Sequence, residues 1–420
     1  MSSCTHPYLS FDVIDSVKFK YRPPKQETIS KALRVGEPSR KKAKRARTVS
    51  PARSAEASGL PPVSTFPAPV VVPGDGIYDD PDDPLQSVQK WVDGEHRNKV
   101  TNRRKTIYVV PPPAFSEDVR CFDDWSVPVL HGKSIETEQA AQTPQTRDVM
   151  EYLQAFYHGL PVKLLEKPAL ACTAWNEGGA TKKRRAQPKQ DVPQHIGLST
   201  GKEATRIRCR PSGDSVFPAQ LNLDDLLDVA IAILPRDAYA LLMLVDHDIY
   251  ENDDDDFCCG RAYGGSRIAI VSTARYRPEL DEIQEFDQDL AAKQGSAIAA
   301  AVLAANKSEA PRTTEQLSAL WLGRVCKTAS HELGHCFGIA HCMYYACIMQ
   351  GTASLAEDAR QPPYLCPVDL AKVLRASGAS EKGRYRALLK VCGEWKEDRM
   401  FSAFGAWIEM RLKQPDAIPS

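Results

Sequence analysis

The sequence predicts an α+β fold, and three observations carry that expectation. Thr106–Val110 and Ala240–Val245 are apolar runs of strand length. Arg147–His158 and Leu223–Leu234 repeat their apolar residues at three- and four-residue steps, the period of an amphipathic helix. Three further helical patterns follow residue 366, at Pro367–Ala376, Gly383–Trp395 and Arg399–Leu412.

A chain of 420 residues has room for one large domain or two ordinary ones. Its 54 basic and 54 acidic residues cancel, so no whole-chain attraction to nucleic acid or to a membrane follows. No apolar run approaches a bilayer span. Met1–Lys20 has no apolar core behind positive charge, so no secretory signal is read there. These features predict an intracellular protein with reduced thiols. The twelve cysteines then read as metal ligands and buried thiols, not as disulfides.

Residues 1–104 are dense in proline, serine and charge and are predicted to be unfolded, with Pro61–Pro73 as an extended linker. The basic octamer Arg40–Arg47 reads as a functional run, either a nuclear address on a cytoplasmic protein or a polyanion contact, and with equal weight as a solvated run. Order is expected from Lys105 onward. The first strand stops at Pro111-Pro112-Pro113. The helix at 147–158 ends at Gly159, and Val162–Leu165 forms a second strand. Residues 174–194, with Lys182–Arg185, read as an exposed loop insertion.

Thr205–Arg210 is a short strand. Asn222 caps the helix at 223–234, with Leu226, Leu227, Ala230, Ile231 and Leu234 as its buried stripe. Asp253–Asp256 has no calcium-loop spacing and reads as solvated, and the lone His247 reads as structural. Phe257–Tyr263 and Arg267–Ser272 form two strands joined at Gly264-Gly265. Glu279–Lys307 reads as partly helical. A long helix starts at Thr313, whose hydroxyl pairs with Gln316 in a capping box. Leu317, Trp321, Val325, Ala329, Leu333 and Phe337 form its buried stripe. Cys392 reads as a buried thiol.

The chemistry lies at the end of that helix, in His331-Glu332-Leu333-Gly334-His335-Cys336-Phe337-Gly338-Ile339-Ala340-His341. His331 and His335 leave one face a turn apart, a spacing that suits zinc. Gly338 can enter the left-handed region cheaply and turn the chain, so that His341 reaches the same ion. Three imidazoles leave a fourth position open, the catalytic zinc arrangement. Glu332 can reach a water at that position as general base without binding the metal. Met349 follows at short range, as in the extended metzincin pattern with its Met-turn. Three of the nine histidines within eleven residues weigh against ordinary packing.

Beside this motif stand Cys342, Cys347, Cys366 and Asp369. Together they resemble the archaemetzincins, zinc metallopeptidases whose motif adds four cysteines for a second zinc. Three of those four positions are cysteine here, and Asp369 stands at the fourth. The resemblance is specific over 331–369 and looser over 105–412, through Phe156–Leu160 and Ser272–Tyr276. It implies a metzincin-type fold: a mixed twisted sheet with an antiparallel edge strand, an active-site helix and a mainly helical C-terminal subdomain. The chain divides accordingly into a subdomain at 105–341 and another at 342–420.

The resemblance also implies hydrolysis of a peptide or protein substrate. It makes His331, His335 and His341 the catalytic zinc ligands, Glu332 the base, and Cys342, Cys347, Cys366 and Asp369 the ligands of a second, structural zinc. Met349 becomes an apolar floor, and Arg267–Ser272 the edge strand that substrate lines. Tyr344, Tyr345 and Tyr364 are open candidates for a side chain that assists zinc at the oxyanion. The alternatives are a degenerate zinc-containing peptide-binding protein and a nuclear or nucleic-acid adaptor. The neutral charge and the lack of interleaved aromatics weigh against nucleic acid.

Overall fold

A sheet buried on both faces needs strands that are apolar throughout, and the middle of this chain supplies them. The computed structural model describes residues 22–35, 65–69, 71, 75–79, 84–130, 133–134, 141–175, 192–201, 203–283 and 313–416. Helices α1 (Gln26–Leu33), α2 (Gly76–Asp79) and α3 (Val88–Asp93) precede strand β1 (Thr106–Val110). Then come β2 (Ala114–Phe115), the hairpin of β3 (Val129–Leu130) and β4 (Lys133–Ser134), α4 (Thr146–Phe156) and β5 (Val162–Leu164). Strands β6 (Ala171–Ala174), β7 (His195–Ser199), β8 (Ala204–Arg210) and β9 (Gln220–Asn222) lead into α5 (Leu223–Ala232). They are followed by β10 (Ala238–Val245), β11 (Asp248–Tyr250), β12 (Gly260–Tyr263) and β13 (Ile268–Ser272). The remainder is helical: α6 (Thr314–Cys336), α7 (Leu355–Arg360), α8 (Pro367–Ser377), α9 (Glu381–Glu394) and α10 (Arg399–Leu412).

The central sheet runs β12-β13-β10-β1-β5, parallel except for the antiparallel β12 at its edge. A second sheet runs β11-β9-β8-β7-β6-β2. Alternation along the central strands divides the apolar residues between two cores. Ile107, Val109, Leu242, Leu244, Ala269 and Val271 face the helical side, which includes α4, α6, α9 and α10. Val110, Leu241, Met243, Val245, Ile268 and Ile270 face α5 and the second sheet. The result is a mixed α+β architecture with a helical C-terminal part. Among the described residues no helix is long and apolar enough to cross a membrane.

Four expectations need correction or restriction. The described pieces of residues 1–104 are packed: Ile29, Phe66, Val88 and Trp91 are all buried. Phe66 meets Tyr345, Tyr364 and Trp407 edge-on. Isolated aromatic anchors of this kind carry no periodicity, so a composition argument passes over them. Next, the antiparallel edge strand is β12, not Arg267–Ser272. β13 lies between β12 and β10 and is wholly buried, as the unbroken apolar run Ile268–Val271 requires. The glycine and alternating exposure of β12 suit an edge. Third, α5 ends at Ala232, which leaves Ile231 40 % exposed and Leu234 half-buried. Last, the octamer Arg40–Arg47, most of the insertion at 174–194 and most of Glu279–Lys307 lie outside the described residues.

His247 is buried and structural, its Nε2 paired with the Phe122 carbonyl at 3.0 Å. Arg275 is buried against Asp214 and Asp248, each 2.5 Å away. This anchors the turn Ala274–Tyr276, which delivers Tyr276 to the cleft described below.

Candidate active site

Helix α6 opens on the Thr313–Gln316 capping box, both of whose hydrogen bonds form, at 3.0 and 3.3 Å. Trp321, Val325, Ala329, Leu333 and Phe337 are at most 1 % exposed and hold one stripe of the helix in the core. His331, Glu332 and His335 lie on another face and line a cleft of about 570 Å³. Gly338, at φ +73°, takes the left-handed conformation. The N–H groups of Gly338 and Ile339 close the helix on the carbonyls of His335 and Gly334. The chain then doubles back, and the Cys342 N–H donates to the Met349 carbonyl at 2.7 Å.

This turn brings the ring of His341 to the other two. Its centroid lies 5.5 Å from that of His331 and 5.0 Å from that of His335. The ligand atoms of the three rings all lie within 4.8 Å of one another. Nδ1 of His331 pairs with the Ile348 carbonyl at 2.7 Å, and Nδ1 of His335 with the Ile339 carbonyl at 2.8 Å. A carbonyl accepts only, so each Nδ1 carries the proton and each Nε2 presents a lone pair. The two Nε2 atoms stand 3.0 Å apart, near the ~3.3 Å expected of two nitrogens on one tetrahedral zinc. Burial, reinforced by its histidine neighbours, holds the His331 imidazole well below its usual range and therefore neutral, as a ligand must be. Zinc fits this donor set.

Glu332 is buried in the same cleft. Burial and the nearby Asp358 push its carboxyl up to about 8, with Arg261 opposing. Its Cγ lies where Gly260 of β12 leaves room: a methyl on that glycine would stand 3.2 Å from it. The edge strand therefore runs flush against the helix beside the carboxylate. Residues 257–263 line the cleft, together with Thr352–Leu355 and Asp358.

Cys342, Cys347, Cys366 and Asp369 form a second cluster, all buried, with ligand atoms likewise within 4.8 Å. Cys342 and Cys366 Sγ are 3.5 Å apart, and Asp369 Oδ2 lies 3.4 Å from Cys347 Sγ and 3.5 Å from Cys366 Sγ. Asp369 Oδ1 accepts from Lys372 Nζ at 2.8 Å. The carboxylate is thus divided, one oxygen to the ammonium and one to the sulfurs. Burial pushes the Asp369 carboxyl up to about 6 despite Lys372, and raises the thiols of Cys347 and Cys366 well above their ordinary value. Against its burial, hydrogen bonds from Cys347 and Cys366 hold the Cys342 thiol well below its ordinary value, so the buried cluster carries thiolate character that calls for a cation, and the donors suit zinc here too.

Met349 is fully buried and packs on Gly334, between the two helical histidines. None of the three candidate tyrosines lines the cleft. Tyr364 stacks on Trp407 with centroids 4.5 Å apart, Tyr345 meets Phe66, and Tyr344 sits beside the cysteine cluster. The cleft tyrosines are Tyr263 and Tyr276. Tyr276 donates to Asp358 Oδ2 and accepts from Thr328, both at 2.6 Å. Thr352 donates to the other Asp358 oxygen at 2.6 Å. Sequence reasoning missed this group, because its members lie up to 82 residues apart and no local pattern marks Asp358.

Residues 237–375 match the model of Peptidase family M54. An Archaemetzincin-2 from Macaca fascicularis is 29 % identical over 255 residues, 61 % of this chain and 59 % of that protein. An Archaemetzincin-1 from Homo sapiens is 33 % identical over 202 residues, 46 % of this chain and 39 % of that one. This chain thus spans less than two thirds of the length of these relatives. A crystal structure of an archaemetzincin from Methanopyrus kandleri is similar at 18 % identity and a TM-score of 0.33, over 67 % of this chain and 99 % of that one. The family match spans β10, the β12–β13 hairpin, α6 and both donor clusters, and over these elements the chain is similar to the archaemetzincins.

Proposed function

We propose that the protein hydrolyses peptide bonds with a zinc ion held by His331, His335 and His341. One observation carries this reading. Three imidazoles whose ligand atoms converge share a cleft with a buried carboxylate beside an open sheet edge. When bound, zinc supplies Lewis acidity, which makes water a nucleophile near neutral pH and polarises the scissile carbonyl. Glu332 takes the proton of that water on its carboxylate and delivers it to the leaving amine. The neighbouring Asp358 and burial favour the protonated form of Glu332, which suits the second transfer.

Substrate binds as an added strand. β12 ends the central sheet, so the outward N–H and C=O groups of Gly260–Tyr263 offer main-chain pairing to an extended peptide. Such pairing grips backbone and demands no one sequence. A second zinc at Cys342, Cys347, Cys366 and Asp369 fixes the strand of chain that follows His341 and carries Met349. The basic octamer is proposed as a nuclear address. Nuclear enrichment of a reporter fused to residues 1–60 supports it, and its absence ends it.

The central test is a peptide-library cleavage screen on wild type and Glu332→Gln, with zinc measured in both. Zinc retained and cleavage lost in the variant is expected. Cleavage at the wild-type rate by Glu332→Gln defeats the mechanism.

A further inference from the structure

The segment at 84–98, expected to be unfolded, is bound across the back of the metal-site turn. Trp91 Nε1 donates to the Phe337 carbonyl at 2.8 Å. The stem of Arg97 covers Gly338, where a methyl would stand 2.9 Å from Arg97 Cγ. Asn98 Nδ2 donates to the Gly264 carbonyl at 2.9 Å, reaching the β12–β13 hairpin.

At its centre is Gln86. Its Nε2 donates to the Gly338 carbonyl at 2.9 Å, and its Oε1 accepts from the Ala340 N–H at 3.1 Å and from Lys372 Nζ at 2.8 Å. Two partners are donors and one is an acceptor, so only one orientation of the amide serves all three. Lys372 in turn donates to Asp369 Oδ1, whose other oxygen faces the sulfurs of the cysteine cluster. Lys372 is fully buried, with Gln86 and Asp369 as its two acceptors here.

We infer that Gln86 is a positioning residue for the third histidine, and that through Lys372 it links the histidine site to the cysteine cluster. Gly338 and Ala340 flank the bend that carries His341 back to His331 and His335. Of the three ligands, His341 is the one outside the helix, so its ring is the one whose place depends on this bend. Gln86 pins the bend from both sides with a side chain that touches neither metal site. Groups that orient ligands in this way commonly contribute 10–100-fold to metal affinity.

The inference rests on the metal reading proposed above, and the test separates the two. Full-length protein is stripped of metal and titrated with Co²⁺. Thiolate-to-cobalt charge-transfer bands then report the cysteine cluster, and the d–d bands of the other cobalt report the histidines. Gln86→Met keeps the side-chain volume and loses all three hydrogen bonds. It is expected to weaken cobalt binding at the histidines roughly tenfold or more, to alter the d–d bands and to keep the charge-transfer bands. Gln89→Ala, on the same segment with its amide on Asp93, is expected to bind as wild type does. Melting of the metal-free proteins separates lost positioning from lost folding. If Gln86→Met melts early, Gln86→Glu replaces it: that variant keeps both acceptor contacts and turns a carboxylate on the Gly338 carbonyl. Weaker binding at the histidines supports the inference, and unchanged binding overturns it. Wild-type protein that takes up no metal at the histidines overturns the metal reading itself, and this inference with it.

Discussion

Gly334 and Met349 occupy one space: a methyl group placed on Gly334 would stand 2.4 Å from the sulfur of Met349. The thioether is therefore seated directly on the backbone of α6, between the two helical ligands. Contact that close cannot form, so Gly334→Ala must displace Met349, the helix or both. Gly334→Ala is expected to lower the melting temperature and to weaken zinc retention against a chelator. Met349→Ala alone is expected to cost about 2–5 kcal/mol as a buried large-to-small change. The double variant should be more stable than the sum of the two losses, because the second change makes room for the first. Additive losses in denaturant melts would show that the two residues do not share this space.

Gly260 performs the same service for Glu332. A methyl there would lie 3.0 Å from Thr328 Cγ2 and 3.2 Å from Glu332 Cγ. Gly260→Val widens the gap between the edge strand and the helix and moves the carboxylate away from the water proposed for it. The expected outcome is a fall in kcat on the order of 100-fold, with zinc content unchanged. A loss confined to KM would mean that the glycine matters for the binding strand alone.

Asp369 is both a donor to the second cluster and the counter-ion of the buried Lys372. Asp369→Ala is expected to lose the second zinc, so metal analysis should give one ion per chain where the wild type gives two. It also strands the ammonium, at a cost of roughly 3–5 kcal/mol. Asp369→Ala with Lys372→Met should recover part of that stability but not the metal. Asp369→Cys puts sulfur for oxygen and is expected to resist chelators longer. A wild-type chain with a single zinc would reduce this cluster to ordinary packing.

Burial holds His247 below the usual histidine range, although Asp246, Asp123 and Asp248 pull the other way. The folded state therefore keeps this ring neutral, while the unfolded chain protonates it near pH 6.5. In that range the unfolded state binds more protons. The contribution of His247 is thus complete above about pH 6.5 and is lost as pH falls toward the folded value. Denaturant melts from pH 7.5 to 5 should show wild type losing stability more steeply than His247→Gln, by at most about 1.4 kcal/mol per pH unit. Parallel curves would mean that this histidine does not titrate differently on folding.

The sequence is most legible where a feature is closed within a few residues. The capping box at Thr313, the stripe from Trp321 to Phe337 and the bend at Gly338 are all settled by neighbours one or two turns away. β1 and β10 are legible because strands covered on both faces must be apolar throughout. The inner place of β13 is legible in its unbroken apolar run Ile268–Val271, whereas the resemblance alone puts the edge there. Nor does the sequence tell that Tyr276 meets Asp358, or that Gln86 meets Ala340 across 254 residues. The same holds for Phe66, an isolated aromatic among prolines whose partners all lie beyond residue 340.

Phe66 also sets an order of events during synthesis. Thr65 next to it bonds Trp407 across 342 residues, and the Phe66 ring rests on Trp407 and on two tyrosines from the C-terminal half. On the ribosome the aromatic emerges early, and its cover is not complete until α10 follows. A nascent chain therefore carries its zinc motif into solution before the scaffold that steadies it exists. The cleft is steadied only when Trp407 returns to Phe66, a delay that keeps the proposed cutting site incomplete while the polypeptide nearest to it is its own.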